Sequence, residues 1–216
     1  GAPAVTPRRD STSLLNERSV NRPMEETTPQ RLRRVSAKRF ARQGLAGTSM
    51  REIAREAGIT QAAIYHHFPC KEDLYVDAVR SLQQEKMQGV SDVLALDVPP
   101  AEKLRKLVLR MLELLDADPD FCDIYHREMM EGDEERLQET VDSVYTRIMA
   151  ELEPLMKAIA PNLDPTLMVM SLSGMVFHHL EVRKLIPLLP GGSEEKNALP
   201  LLADHITALV LGSASP

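Results

Sequence analysis

Hydrophobic residues along this chain recur at every third or fourth position over most of the sequence after residue 28. This spacing is typical of amphipathic α-helices, whose apolar side chains line one face. An early example is the segment in which Leu32, Val35 and Phe40 share one helical face. The pattern predicts an all-α protein in which a small helical domain, residues 28–75, precedes a larger helical domain, residues 76–216.

The first helix of the small domain is predicted over residues 29–43. Thr28 is placed to cap its amino end, because a threonine side chain accepts a hydrogen bond from an otherwise free backbone amide. Pro29 suits the first helical turn, where its missing N–H costs nothing. Gly44 follows the helix, and glycine commonly ends helices because it adopts a left-handed conformation without strain.

Two shorter helices follow, joined by a tight turn. Ser49 and Glu52 have the spacing of a capping box that starts the second helix. Gly58 ends that helix, and Thr60 caps a third helix at residues 61–67. Two short helices around a glycine-containing turn are typical of a helix-turn-helix. The expected core of this three-helix unit consists of Phe40, Leu45, Ile53, Ile59, Ile64 and Phe68.

The outer face of the third helix carries small and polar side chains. Small residues allow a helix to enter the major groove of DNA, which is about 12 Å wide, and an amide such as that of Gln61 can bind base edges there. Hydrogen-bond donors such as Tyr65, His67 and Lys71 suit phosphate contacts. The side chains expected on the outside are Gln61, Ala62, Tyr65 and His66.

Charge is divided unevenly along the chain. Residues 1–80 contain 14 Lys and Arg against 9 Asp and Glu, a net charge of +5, whereas residues 81–216 have a net charge of −11. A basic domain attached to an acidic one suits a DNA-binding head on a body that does not bind DNA. A solvated basic face with no partner would give the same charges.

Residues 1–27 are rich in Pro, Ser, Thr and Arg and contain few large apolar side chains, so we expect a flexible arm. Its arginines either add contacts to phosphates and the minor groove or have no role. These residues are Arg8, Arg9, Arg18 and Arg22.

The stretch GLAGTSMREIAREAGITQAAIYHHFPCKEDLYVDAV closely resembles the DNA-binding head of the tetracycline-repressor (TetR) family of bacterial transcriptional regulators. The resemblance covers residues 28–80 and depends on Gly-x-x-x-Thr-Ser, Ile-Ala-x-x-Ala-Gly, Tyr-x-His-Phe and Lys-x-x-Leu, which occur in order at the family's spacing. It implies a homodimer of nine- or ten-helix chains. It also implies a C-terminal domain that usually binds a small inducer and dimerises through its last two long helices.

The resemblance also implies which residues contact DNA. Tyr65 could instead serve packing, and His67 could be a buried hydrogen-bonding residue. Adjacent histidines point about 100° apart on a helix, so His66 and His67 are a poor metal pair. The residues implied for base contacts are Arg51, Gln61, Ala62 and Ala63, and those implied for phosphate contacts are Thr48, Ser49, Tyr65, His67 and Lys71.

The body is predicted to consist of helices separated by loops that contain proline or glycine. A long helix over residues 133–160 should kink at Pro154, and Asp164 caps a helix that extends to about residue 185. The last two long helices are expected to form the dimer interface, although packing within one chain is the alternative. The interface residues named by this prediction are Ser171, Ser173, Gly174, Val176 and His178. Other helices are expected at residues 101–116, at 119–131 and near the C-terminal end.

Methionine is concentrated in the body, where eight of the eleven methionines lie between Met111 and Met175. Methionine adapts its shape and is common at promiscuous binding surfaces, and ligand pockets are mostly apolar with a few polar anchors. The sequence therefore favours a pocket for an amphipathic or apolar organic ligand, with ordinary core packing as the alternative for each residue. The candidates are Met111, Phe121, Tyr125, His126, Met129, Met149, Phe177 and His178.

These features predict a dimeric transcriptional repressor that a small ligand releases from a palindromic operator in double-stranded DNA. One alternative is a regulator without a small ligand, constitutive or controlled by a protein, whose body core would be filled. The other is an enzyme, but the sequence has no nucleophile motif, phosphate-binding loop or metal-ligand spacing. We therefore expect no catalysis, no cofactor and no metal.

The location expected from sequence is the cytoplasm. Cys70 and Cys122 do not make a disulfide framework. No apolar run approaches the roughly 18 residues of a membrane span, and the amino end lacks the apolar segment of a secretory signal. We therefore expect no membrane partner.

Overall fold

Ten α-helices and no β-strand make up the part of the chain that the structure, a computed structural model, describes: Gly1 and residues 26–212. The all-α prediction is therefore confirmed for this part. The predicted arm residues Arg8, Arg9, Arg18 and Arg22 lie outside it. The helices are α1 (Thr28–Gly47), α2 (Met50–Ala57), α3 (Gln61–His67), α4 (Lys71–Leu94), α5 (Pro100–Asp116), α6 (Pro119–Glu131), α7 (Glu134–Thr140), α8 (Thr146–Ile159), α9 (Pro165–Val182) and α10 (Leu199–Gly212).

The first helix begins one residue earlier than expected. Thr27, not Thr28, caps it, because the Thr27 side chain accepts from the amide of Gln30 while the Gln30 side chain accepts from the amide of Thr27. The sequence predicts that the first helix stops at Gly44, and Gly44 does interrupt α1 with a φ of +68°. The chain then makes a further turn, so that α1 ends at Gly47.

The helix-turn-helix forms as the sequence predicts. Ser49 and Glu52 make both hydrogen bonds of the capping box at the start of α2. Gly58 ends α2 with φ 68° and ψ 33°, a left-handed conformation that residues with a Cβ rarely adopt. The Thr60 hydroxyl accepts from the amide of Ala63 over 3.1 Å and caps α3. Local capping and one glycine therefore fix the turn between the two helices.

Two hydrophobic clusters lie one after the other along α4. The first, here called the head core, includes fully buried Phe40, Ile53 and Ile64, with Leu45, Ile59 and Phe68 partly buried against it. The second, the body core, is built from α4, α5, α6, α8, α9 and α10. Because α4 runs without a break from Lys71 to Leu94, the predicted domain boundary at residues 75/76 falls inside one helix.

The long helix expected over residues 133–160 is divided. A π-helical segment, Val141–Tyr145, separates α7 from α8, so the irregularity lies before Pro154, which is inside α8. Asp164 caps α9 as predicted, and that helix ends at Val182. None of the described helices is long and apolar enough to cross a membrane.

We expect Gly58→Ala to lower the free energy of unfolding by about 1–2 kcal/mol, because alanine is strained in the left-handed conformation. Gly58→Asn is the matched control, since asparagine tolerates this conformation better, and it should lose less. Urea unfolding of the three proteins measures the difference. Equal stability of the alanine and asparagine variants would contradict the role given to Gly58.

Candidate nucleic-acid interface and body cavity

The α3 helix exposes the face that the sequence assigns to DNA. Gln61 and Ala62 are exposed, Ala63 is half-buried, and the Tyr65 side chain is held outward with 46% of the residue exposed. Ile64, in contrast, is fully buried in the head core and anchors the helix. The face is accessible, and the base and phosphate contacts of its residues stay predictions.

The two histidines at the end of α3 are both exposed, and their rings pack edge to face with centroids 5.4 Å apart. The alternative that His67 is a buried hydrogen-bonding residue is therefore wrong. The described residues contain no group of three or more His, Cys, Asp or Glu side chains that could hold a metal ion.

Two hydrogen bonds within the head hold Thr48, in the segment before α2. Thr48 is buried, and its hydroxyl donates to the carbonyl of Gly44 over 2.8 Å. The hydroxyl therefore points into the head and not toward solvent. Lys71, at the start of α4, donates from Nζ to the Thr48 carbonyl over 3.1 Å. Ser49 and Arg51 are exposed beside this contact. Because its hydroxyl points inward, Thr48 is the weakest of the predicted phosphate contacts.

Many cations of the head are neutralised locally. Arg39 contacts Glu56 at 2.7 Å and Glu52 at 3.3 Å, while hydrogen bonding to Arg34 lowers the pKa of Glu26. Within the described part of the chain, no acidic side chain lies within ion-pair distance of Arg51 or Lys71. Arg51 and Lys71, which the sequence assigns to DNA, therefore keep their positive charges near α3.

A narrow cavity of about 80 Å³ lies inside the body. Helices α4, α5, α6, α8 and α9 all contribute to its wall, which is almost entirely apolar. Tyr125 and Phe177 stack in the wall, with ring centroids 4.6 Å apart and planes 11° from parallel. Burial, the largest cause, and the neighbouring Tyr125 phenol raise the pKa of Tyr145. The predicted candidates that line the cavity are Met111, Phe121, Tyr125, Met149 and Phe177.

Three predicted pocket residues lie elsewhere. His126 lines an adjoining hollow that shares Phe177 with the cavity. Met129 is 40% exposed on α6, and His178 is exposed on α9, where its Nδ1 is 3.7 Å from Glu181. Spacing alone did not separate these outer positions from the inner ones, because α6 and α9 carry apolar or aromatic residues around much of their circumference.

Sequence reasoning missed Lys86 and Tyr145 as wall residues. The sequence does indicate that Lys86 faces inward, because Lys86 continues the apolar stripe of α4 at helical spacing between Val79 and Val90. Lysine is rarely buried without a partner, so a lysine in such a stripe indicates a special site.

Helix α6 touches both the cavity and the head. Phe121 and Tyr125 face the cavity. Ile124, which lies between them in the sequence, points from another face of the helix and is buried in the head core. Arg127 also reaches α1, where its Nε donates to the carbonyl of Ala41 over 3.0 Å. Any displacement of α6 at the cavity therefore acts on side chains that pack against the head.

A buried carboxylate joins three helices at this junction. Glu128 of α6 is 2% exposed, and its Oε2 accepts from the Tyr75 hydroxyl of α4 over 2.7 Å. Arg136 of α7 donates to both carboxylate oxygens, over 3.2 and 2.9 Å, and its guanidinium lies 5.1 Å from the Tyr75 ring centroid. Burial, followed by the hydrogen bond to Glu128, raises the pKa of Tyr75. These three residues are called the Glu128 cluster below.

The structure thus combines a capped helix-turn-helix, whose recognition face is accessible, with an all-helical body. Residues 32–78 match the family model described as bacterial regulatory proteins, tetR family. This match covers the helix-turn-helix head of the chain.

The curated relatives match this chain in sequence over only about half of its length. The HTH-type transcriptional repressor KstR2 of Rhodococcus jostii (strain RHA1) is 30% identical over 95 residues, which cover 44% of this chain and 47% of KstR2. The chain spans about half the length of the curated relatives it matches.

Solved structures match over most of the chain. FadR from Bacillus subtilis in complex with stearoyl-CoA aligns with a TM-score of 0.69 and 16% identity over 86% of this chain and 98% of FadR. The ketosteroid transcriptional regulator KstR2 of Mycobacterium tuberculosis aligns with a TM-score of 0.63 and 22% identity, over 88% of this chain and 96% of KstR2. At these identities the likeness shows the fold.

We expect Arg136→Leu to lower the free energy of unfolding by about 3–5 kcal/mol, because it leaves the Glu128 carboxylate buried without a cation. Arg147→Leu is the control, since it removes an exposed ion pair with Glu151 and should cost less than about 1 kcal/mol. Adding Glu128→Gln to Arg136→Leu should recover part of the loss. Equal losses for Arg136→Leu and Arg147→Leu in urea unfolding would contradict this assignment.

Proposed function

We propose that the protein is a cytoplasmic, homodimeric, sequence-specific DNA-binding repressor that a small amphipathic or apolar ligand releases from a palindromic operator. The observation that supports this function most directly is that α6 joins an apolar cavity to the core of a helix-turn-helix head. A cavity of this kind favours a ligand-responsive regulator over one whose body core is filled, and the proposal includes no catalytic step.

The proposed DNA contacts divide into two kinds. Gln61 and Arg51 bind base edges and set the sequence preference, while Ala62 and Ala63 allow α3 to approach the floor of the groove. Tyr65, His67, Lys71 and Ser49 bind phosphates and orient the head. Thr48 is left out of this set because its hydroxyl donates inward.

Exposed apolar side chains on α9 and α10 support the proposed dimer. Leu167 is 67% exposed and Leu201 49%, and small residues at Ser171 and Gly174 lie on the same outer face of α9 as Leu167. Such side chains favour burial against a second copy of the chain. The predicted interface needs one correction, because Val176 is fully buried in the body core. Ser173 is half-buried and lines the cavity.

The ligand is proposed to bind in the cavity and to act through α6. FadR, which shares the fold, was solved with stearoyl-CoA, an amphipathic molecule. A ligand that pushes on Phe121 or Tyr125 shifts α6, and Ile124 and Glu128 transfer that shift to α1 and α4. DNA binding and ligand binding must then weaken each other equally, because the coupling free energy is reciprocal.

Selection from random double-stranded DNA, followed by binding titrations at several salt concentrations, tests DNA recognition. We expect a palindromic consensus whose half-sites are spaced by the DNA helical repeat, with steep salt dependence. Enrichment of no site, both before and after bound ligand is stripped from the protein, would contradict the proposed function.

Variants of the head should separate the two kinds of DNA contact. Gln61→Ala should alter preference at one base position by about 1–3 kcal/mol. Lys71→Ala should weaken binding to every sequence and reduce the salt slope by about one. Lys157→Ala, an exposed lysine of the body, is the control. If Lys71→Ala behaves like Lys157→Ala, the phosphate contact of Lys71 is wrong.

The dimer proposal has its own test. Leu167→Glu places a charge on the outer face of α9 and should shift the protein toward monomer in analytical ultracentrifugation, because the charge would be buried in the dimer. Met130→Glu is the control, since Met130 is 86% exposed but lies on α6. A wild-type monomer, or equal behaviour of both variants, would contradict an α9 interface.

A further inference from the structure

One charged side chain, Lys86, lies in the wall of the body cavity, among the described residues that line it. Lys86 is only 7% exposed and belongs to α4, the helix that continues into the head. The rest of the wall offers only uncharged polar groups, such as Ser173 and the Tyr125 and Tyr145 hydroxyls, within apolar side chains. An ammonium group at an apolar wall is costly unless an anion compensates it.

The anion that compensates Lys86 in this structure is Asp118. Lys86 Nζ lies 2.9 Å from Asp118 Oδ2 and 5.7 Å from the centroid of the Phe121 ring. The other oxygen of the same carboxylate, Oδ1, accepts from the Phe121 amide over 3.1 Å and caps α6. Asp118 therefore links the only cation of the described wall to the first turn of the helix that contacts the head.

Charge balance limits what else can bind at this position. A second carboxylate beside Lys86 and Asp118 would leave one uncompensated negative charge against the apolar wall, which is unfavourable. The side chain of Asp118 is 28% exposed, however, so it has access to water. A carboxylate inside the cavity can therefore replace Asp118 at Lys86 while Asp118 turns toward solvent.

We propose that the natural ligand of this cavity is an organic acid with an apolar body, whose carboxylate binds Lys86 Nζ and displaces Asp118. This inference rests on the proposed function and specifies the chemical class of the ligand. The apolar body contacts the methionine and aromatic side chains of the wall. Loss of Asp118 from the first turn of α6 removes an N-cap, and this loosens the helix that packs against the head core.

Titration calorimetry with matched probes tests the ligand class on the unmodified protein. The probes are straight-chain carboxylic acids from propanoate to octanoate and the corresponding primary alcohols, which differ only in the charged group, and the shortest of them match a cavity of about 80 Å³. We expect the best acid to bind about tenfold or more tightly than its alcohol, because a hydrogen bond to a charged group is stronger than a neutral one. Equal affinities of acid and alcohol, or no binding of either series, would overturn the proposal.

Variants of Lys86 then test whether the carboxylate of the ligand binds at this residue. Lys86→Met should abolish the preference for acid over alcohol, and Lys86→Arg should keep it because it keeps the cation. Lys106→Met, the same change at a lysine of α5 outside the wall whose side chain is 42% exposed, is the matched control and should also keep the preference. An acid preference that survives in folded Lys86→Met would place the anion elsewhere and overturn the assignment to Lys86.

DNA binding separates this proposal from the proposed function. The acid, but not the alcohol, should weaken binding of the wild-type protein to its selected operator. If the operator binds but acids have no greater effect than alcohols, the regulator stands and the acid-binding role of Lys86 fails. If no operator is found although acids bind through Lys86, the DNA-binding function fails and the ligand class stands.

Discussion

The position of the head on the body depends on a buried carboxylate. Glu128 is almost completely removed from water, and the Tyr75 hydroxyl and the Arg136 guanidinium occupy its oxygens. A buried carboxylate that lost either partner would be strongly unfavourable, so α4, α6 and α7 are held together at this point. Such a cluster contributes little net stability compared with apolar packing. Its physical consequence is to restrict how these three helices can be arranged.

Helix α6 is held at both ends by polar contacts, one of which is that of Glu128. Its first turn is capped by Asp118, whose carboxylate also compensates Lys86 at the cavity wall. Its middle carries Ile124 into the head core, and its last turns carry Glu128 and the Arg127 contact to α1. One helix of 13 residues thus bears a polar contact at the cavity end and another at the head end. Both contacts satisfy charges that would otherwise be buried without a partner, so neither end can shift freely.

The sequence predicted the head far better than the cavity, for physical reasons. The helix-turn-helix follows from local rules, since Ser49, Glu52 and Thr60 cap their own helices and Gly58 provides the left-handed residue of the turn between α2 and α3. The cavity depends on packing between five helices that are distant in sequence, and helical spacing does not reveal which apolar face points inward. His178 and Val176 were both misplaced for this reason. The inward orientation of Thr48 was also missed, although its hydrogen bond to the carbonyl of Gly44 is local and spans four residues.

The coupling between head and body through α6 can be measured by hydrogen–deuterium exchange of backbone amides with and without the selected operator. If DNA and cavity are linked, operator binding must alter exchange beyond the helices that contact DNA, since opening free energies report local stability. We expect slower exchange in α2 and α3 and also in α6 and α7, where Glu128 and Arg136 lie. A change confined to residues 28–75, with α6 and α7 unaffected, would contradict the coupling.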